Sequence, residues 1–276
     1  PALAELATRA YANGWQVAVQ ANGDAAIDQF IGAIRAAAAK HPAKDRHPLL
    51  VGAQTIRDDQ LDALKETGAS LSFAPQRLVL SKPAPADYLL GPERTARFAP
   101  AGSAHARGIA TLLHADPALT APSPFGVMAA AVERPVGEDQ QLDPLTALKA
   151  LTLLPARQLG EEKIKGSIAA GKLADITVLS ANPLKTPTDK LGEIRVTGVV
   201  KEGAAVFGGP DGGSTSSTAQ TFALSGRFDV ALETVPITLS FDPLTVENRE
   251  QIRFEAVVGD AEDRRLGILV DRDDHL

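Results

Sequence analysis

Hydrophobic and polar positions in the first half of this chain switch between the spacing of buried strands and that of amphipathic helices. Short apolar runs with the length of buried strands cover residues 15–20, 49–53, 69–73 and 109–114. Helical spacing covers residues 2–13, 25–40, 58–67 and 101–107, and Gly68 follows the third of these as a C-terminal cap. The alternation predicts an α/β fold, with parallel strands covered by helices.

The pattern changes in the second half. A Pro-rich loop is expected from residue 74 to about residue 92, and further helices are predicted at 125–133 and 144–159. Short β-segments joined by turns then follow at 165–168, 175–179 and 195–207. Residues 208–219 have the Gly-, Ser- and Thr-rich composition of a flexible linker. Period-2 alternation beyond it predicts four more strands, at 227–232, 237–241, 252–258 and 266–270.

Composition narrows the range of partners. The net charge of −6 provides no basic surface for nucleic acid, and no apolar run reaches the roughly 18 residues that cross a bilayer. The absence of cysteine excludes disulfides and thiolate metal sites. The sequence starts at Pro1 and enters a helical pattern almost at once, so we expect a further N-terminal portion upstream. Localisation stays open, because a signal peptide would lie in that portion.

Several segments, in order along the chain, together resemble one family. They are Gly14–Asp24, Leu89–Arg94 with its Gly-Pro-Glu-Arg run, His114–Pro117, Ala129–Arg134 and Lys165–Ile176. In this combination they resemble the amidohydrolase family 3 group of the amidohydrolase superfamily, similar to N-substituted formamide deformylases, which hydrolyse C–N bonds. The resemblance runs from Trp15 to Phe207. The last of the segments by itself indicates only the superfamily.

The resemblance implies a partial TIM (β/α)₈ barrel. The four predicted strands would be strands five to eight, with the C-terminal part of a small β-sandwich and an extra β-rich tail. The expected domains are the barrel half at 1–160, the sandwich portion at 161–207, the linker at 208–219 and the tail module at 220–276. A half-barrel has two open sheet edges, so we expect self-association or a missing N-terminal half to cover them.

The resemblance also implies a divalent metal, zinc, at the barrel mouth, where it would activate water and polarise the scissile carbonyl. Gln20 and Gly52 occupy positions where the family has histidine ligands, and neither residue offers an imidazole. Asp116 keeps the position of the acid that touches the metal and transfers protons. No two histidines are spaced as a ligand pair in the sequence, so we expect this chain alone not to bind the metal.

Four residues are candidate site residues, each with a structural alternative. Asp116 is the catalytic and metal candidate, or else caps the turn before Pro117. His114 shares a strand face with Asp116 and either orients it or contacts substrate, or else is a hydrogen-bonded interior histidine. Gln54, two residues beyond Gly52, is a substrate-binding candidate, although packing or hydrogen bonding is favoured over that role. Arg94 lines the substrate loop or forms an ion pair at a helix start.

The resulting hypothesis is an amidohydrolase-like protein. The family-level activity is metal-dependent hydrolysis of a non-peptide C–N bond, an amide or N-formyl group, in a small-molecule substrate. Because two ligand histidines are replaced and the N-terminal half is absent, this chain is expected to be inactive alone. The alternatives are a catalytically dead homologue that serves as a binding or scaffold protein, and an enzyme that uses upstream ligands together with Asp116.

Overall fold

The computed structural model describes residues 2–42, 46–80, 90–116 and 123–208, and the backbone of four strands between residues 226 and 271. The chain divides into two compact units, residues 1–212 and 213–276. Each unit is described by itself. Within the described residues, no helix combines the length and the apolar character needed to cross a membrane.

The first unit is built on the predicted parallel sheet. Its strands pair in chain order and are β1 (Ala18–Ala21), β2 (Leu49–Gly52), β3 (Ser70–Phe73) and β4 (Thr111–Leu113). All three pairings are parallel, as the strand–helix alternation predicted. The outer edges of β1 and β4 have no strand partner among the described residues.

Nine described α-helices belong to this unit. They are α1 (Ala2–Ala12), α2 (Asp24–Lys40), α3 (Asp58–Thr67), α4 (Gln76–Leu80), α5 (Pro92–Ala96), α6 (Ala101–Ala106), α7 (Pro124–Val132), α8 (Pro144–Leu151) and α9 (Leu153–Gln158). Two 3₁₀ turns cover Glu138–Gln140 and Thr188–Glu193. The predicted helix at 58–67 is confirmed to the residue, and Gly68 ends it with a φ of 68°, the left-handed conformation that glycine adopts freely.

The core lies between the sheet and the helices. Leu50, Leu71 and Phe73 from the central strands are completely buried, as are Phe30 of α2 and Leu61 of α3. Burying such side chains stabilises the fold by roughly 1.5–3 kcal/mol each. The first strand is less covered, since Ala18 and Gln20 are exposed. The packing therefore fixes how the helices lie on the sheet and leaves the outer strand accessible.

Two predicted elements are wrong, each because of one residue. The single helix expected at 144–159 is broken at Thr152 into α8 and α9. Pro155, near the start of α9, has no N–H to bond the carbonyl four residues earlier, so a continuous helix is disfavoured. The β-segment expected at 165–168 is a loop, because Gly166 has a φ of 87°. A strand residue does not adopt that angle.

A second, antiparallel sheet completes the unit. It consists of β5 (Ile176–Leu179), β6 (Val196–Lys201) and β7 (Ala204–Gly208). Leu179 and Val196 pack against the same hydrophobic core as the helices. The predicted linker lies outside the described residues apart from Gly208, and the loop expected from residue 74 contains α4 before the undescribed residues 81–89.

The second unit is an antiparallel meander of four described strands. They are β8 (Gly226–Leu232), β9 (Val235–Phe241), β10 (Gln251–Val258) and β11 (Arg265–Asp271). Each pairs with the next along the chain. Period-2 alternation predicted all four to within two residues at each end.

Candidate functional site

Asp116, the retained acid, is held in an ion pair. It follows β4 by three residues, and Arg77 of α4 approaches its Oδ2 with both Nε, at 3.0 Å, and Nη2. The two side chains are 22% and 30% exposed. A two-point contact between guanidinium and one carboxylate is among the stronger polar interactions in proteins. Asp116 is therefore engaged by a cation from a segment that was expected to be loop.

His114 directly follows β4 and forms a hydrogen bond with the neighbouring strand β3. Its Nδ1 lies 2.8 Å from the hydroxyl of Ser72, near the end of β3. Burial lowers the pKa of His114, and the charge on Asp116 only partly opposes this. Burial therefore favours the neutral imidazole, and the hydrogen bond with Ser72 orients the ring two residues before Asp116. This arrangement fits both readings of His114, as an orienting group and as a hydrogen-bonded interior histidine.

Positions 20 and 52, where the resemblance implies histidine ligands, lie in surroundings that the sequence pattern did not predict. The ladder pairs Gln20 with Val51, and Gly52 with Ala21. Gln20 is exposed on the outer strand. Gly52 has a φ of 94°, and a Cβ added there would overlap Oδ1 of Asn22 and lie 3.1 Å from its Cγ. The side chain of Asn22 therefore fills the space into which a residue at position 52 would project.

Gln54 is buried without hydrogen bonds from its side chain. It is 3% exposed, and neither Oε1 nor Nε2 has a hydrogen-bond partner among the residues that the structure describes. The alternation that would place it on the face of Gly52 ends at β2, because Gly52 and Ala53 both have positive φ. Asn22 Oδ1 is a third buried oxygen or nitrogen atom without a partner at these strand ends. Such atoms are rare in native structures and mark sites for water or ligand.

The unpaired amide of Gln54 leads to a stability prediction. Gln54→Met removes a buried donor and acceptor that have no partner, so we expect the free energy of unfolding to rise by about 1 kcal/mol. The matched control is Gln60, a buried glutamine with three hydrogen bonds to Asp24, Asp28 and Arg57. Gln60→Met should lower the free energy of unfolding by roughly 1–3 kcal/mol, because its partners lose their hydrogen bonds. Urea denaturation measures both changes, and destabilisation by Gln54→Met would contradict this view of the site.

Arg94 lies in a separate group of charged residues. It lines a cavity of about 270 Å³ between the start of α2, the residues after β2 and α5. Within the part of the chain that the structure describes, Arg94 and its neighbour Glu93 take part in no salt bridge, so the helix-start ion pair is not formed. Arg94 therefore remains a candidate for contact with a ligand.

Four further residues shape these sites and were not predicted from the sequence: Asn22, Ser72, Arg77 and Arg134. Arg134 is 5% exposed and donates to the carbonyls of Phe98 and Ala99, at 2.6 and 3.1 Å. Burial lowers its pKa to about 10, which leaves it charged at neutral pH. A serine within a buried strand and an arginine directly after an alanine-rich helix were available signals. Nothing in the sequence pattern indicated that Arg77 reaches Asp116.

The described residues do not fit the divalent metal that the resemblance implies. No three His, Asp or Glu side chains between residues 2 and 208, undescribed gaps excluded, lie together as a set that could hold an ion. Asp116 is bound by Arg77, and the space at position 52 is taken by Asn22. A divalent ion needs several neutral or anionic donors that converge, and this part of the chain does not supply them.

The first unit is an α/β fold with a parallel sheet, and its polar residues lie at the carboxyl ends of the strands, where ligands bind in such folds. The amidohydrolase family model matches residues 1–207, so the chain belongs to the amidohydrolase family. It is 27% identical over 215 residues to the Bacillus subtilis (strain 168) protein named "Putative amidohydrolase YtcJ". That alignment covers 74% of this chain and 40% of the relative.

Solved structures agree with this class. An uncharacterized metal-dependent hydrolase from Pyrococcus furiosus matches with a TM-score of 0.57 and 26% identity, over 66% of this chain and 37% of its own. A Xanthomonas campestris adenosine deaminase with bound zinc matches with a TM-score of 0.54 and 19% identity, over 74% and 48%, and shows the fold alone. The metal-dependent hydrolase from Pyrococcus furiosus supports a divalent metal at the level of the family. The chain spans less than half the length of these relatives.

Proposed function

We propose that this chain supplies strands five to eight of an amidohydrolase barrel and does not by itself catalyse the reaction of the family. In this assignment β1 to β4 are the four strands, residues 161–207 return to the small β-sandwich, and residues 220–276 are an added module. The family-level reaction is hydrolysis of a non-peptide C–N bond, an amide or N-formyl group, in a small molecule. The order and direction of the four strands support the assignment.

The observation that carries the proposed inactivity is the ion pair between Asp116 and Arg77. An acid that transfers protons at a metal must contact the metal-bound water, and Arg77 occupies Oδ2 of Asp116 with two donors. Gln20 and Gly52 add only an exposed amide and a hydrogen atom. In this proposal no reaction step passes through a metal. Asp116 and Arg77 instead form an ion pair that stabilises the segment after β4.

The two open edges of the parallel sheet indicate a surface where another chain or domain can bind. The outer edges of β1 and β4 have unpaired backbone groups among the described residues, and such edges are normally covered in native proteins. We propose that a further barrel half or a second copy of this chain covers them. Nucleic acid and membrane are not proposed partners.

Metal analysis of the purified 276-residue chain tests the proposed inactivity. We expect no stoichiometric zinc, no hydrolysis of N-formyl amines, and the same melting temperature with zinc as with a chelator. If the chain bound zinc, a free zinc concentration of 100 times the Kd would add about 2.7 kcal/mol to the free energy of unfolding, so a higher melting temperature would reveal the binding. The proposal is wrong if the chain holds one zinc per molecule and hydrolyses the amide. Loss of that activity in Asp116→Asn, with Asp143→Asn as the surface control, would then favour the enzyme alternative.

A second candidate is a binding or scaffold protein without catalysis in any form. The amide of Gln54, which is buried without a hydrogen-bond partner among the described residues, and the cavity beside Arg94 favour this candidate. Both provide polar groups that can bind a ligand, and neither contains a set of groups that could catalyse a reaction. This candidate predicts that ligand binding persists in Asp116→Asn. Equilibrium dialysis with a labelled N-formyl amine measures it, and binding that depends on the Asp116 carboxylate would contradict it.

A further inference from the structure

One cavity of the first unit has a wall made almost wholly of charged residues. Its volume is about 270 Å³, just below the roughly 300–1,000 Å³ typical of ligand pockets. Six charged side chains line it: Asp24, Arg57, Asp58, Glu93, Arg94 and Arg97. Because formal charges balance in this wall, its preference for a ligand depends on which charges are already paired.

Four of these six charges are matched within the protein. Arg57 lies 3.5 Å from Asp24 and 2.9 Å from Asp59, and the hydrogen bond with Asp59 raises the pKa of Arg57. Arg97 lies 2.9 Å from Asp58. These pairs hold the start of α3 against its neighbours and leave little of their charge for a ligand.

Glu93 and Arg94 are the two that remain. They are adjacent on α5, both are exposed, both line the cavity, and neither forms a salt bridge with the other or with another residue between 2 and 208 that the structure describes. Gly91, with a φ of 75°, and Pro92 begin this short helix and set its direction. Among the described residues, the cavity therefore has one cation and one anion at its wall that form no salt bridge.

We propose that this cavity binds a small zwitterion, an amino carboxylate, with its carboxylate at the guanidinium of Arg94 and its ammonium at the carboxylate of Glu93. A guanidinium binds a carboxylate through two parallel hydrogen bonds. A simple anion would be repelled by Glu93, and a simple cation by Arg94, so the pair selects a ligand with both charges. The site uses neither Asp116 nor His114 and goes beyond the proposed function.

Side-chain NMR of the 276-residue chain tests this site. The probes are glycine, β-alanine and 4-aminobutyrate, which separate the two charges by increasing distances, with acetate and methylammonium as single-charge controls. We expect at least one amino carboxylate to shift the Nε–H signal of Arg94 in a saturable way. Acetate and methylammonium should bind at least tenfold more weakly, a factor that corresponds to about 1.4 kcal/mol.

Two variants and one control make the test specific. Arg94→Met should weaken binding at least tenfold, and Glu93→Gln should remove the preference for the amino carboxylate over acetate. Arg9→Met, which changes an exposed arginine of α1, should leave binding unchanged. Because all three side chains are exposed, these variants should fold normally, as circular dichroism can verify. No saturable shift with any probe, or full binding by Arg94→Met, would overturn the proposal, whatever the outcome of the zinc measurement.

Discussion

Replacing Gly52 with histidine, the residue that the resemblance implies at this position, should lower the free energy of unfolding by about 3 kcal/mol. Two costs add up. A φ of 94° is a strained angle for any residue with a Cβ, which costs roughly 1–3 kcal/mol. The new Cβ also overlaps Oδ1 of Asn22, and forcing atoms into filled space costs typically 1–3 kcal/mol. Among the natural residues, only glycine therefore fits position 52 without backbone strain and steric overlap.

Part of this cost should be recovered by a second substitution. Asn22→Ala removes the overlapping amide, so combining it with Gly52→His should recover about 1–2 kcal/mol, the contribution of the overlap. The control is Gly68→His, where φ is 68° but no atom lies within 4 Å of an added Cβ. Asn22→Ala should not rescue that variant. A double-mutant cycle by urea denaturation measures the coupling, and additive effects at positions 22 and 52 would refute this explanation.

This result would bear directly on the metal. If Asn22 holds the place of the position-52 side chain, restoring histidine at positions 20 and 52 alone cannot rebuild a ligand set. The loss of the metal site would then be built into the packing of β1 against β2 and would not consist of two independent substitutions. That Gln20 and Gly52 mark an altered site stays a prediction, and Asn22 is the residue whose side chain lies in the space beside position 52.

Arg134→Met should destabilise the first unit by about 3 kcal/mol. The guanidinium of Arg134 donates to the carbonyls of Phe98, Ala99 and Val136. Hydrogen bonds from a charged donor contribute roughly 1.5–3 kcal/mol each, and the substitution leaves these carbonyls without that donor. Relief of the cost of burying the charge offsets part of the loss, which gives the intermediate value. Thermal denaturation should show a melting temperature lower by roughly 6–12 °C.

The same substitution should affect the cavity beside Arg94. Ala99 N–H donates to the carbonyl of Gln54 at 2.8 Å, so Arg134 holds the segment after α5 against the end of β2. We expect weaker binding of the amino carboxylate in Arg134→Met even at temperatures where the variant is folded. The control is Arg9→Met, an exposed arginine, which should change neither stability nor binding. An unchanged melting temperature in Arg134→Met would show that these carbonyls do not need the guanidinium.

Much of the fold follows from local chemistry that is visible in the sequence. Apolar runs and helical spacing predicted the four parallel strands and helix α3, because strand and helix periods are properties of short segments. Two residues indicated where the predicted elements would fail, but the hydrophobic pattern around them favoured a continuous helix and a strand. Pro155 interrupts an otherwise continuous helical spacing, and Gly166 breaks a run with strand-like composition. In both cases a constraint on one residue's backbone prevailed over the average of its neighbours.

The sequence by itself determined the alternation of strands and helices, the family, and the absence of imidazole at positions 20 and 52, since these depend on residue identity and spacing. Only the tertiary structure decided that Arg77 binds Asp116 and that Asn22 fills the space at Gly52. It also decided that Glu93 and Arg94 line one cavity and form no salt bridge with any residue that the structure describes. Each of these contacts joins segments whose approach depends on how the whole sheet packs. Side-chain partners at strand ends therefore cannot be inferred from periodicity, which describes one element at a time.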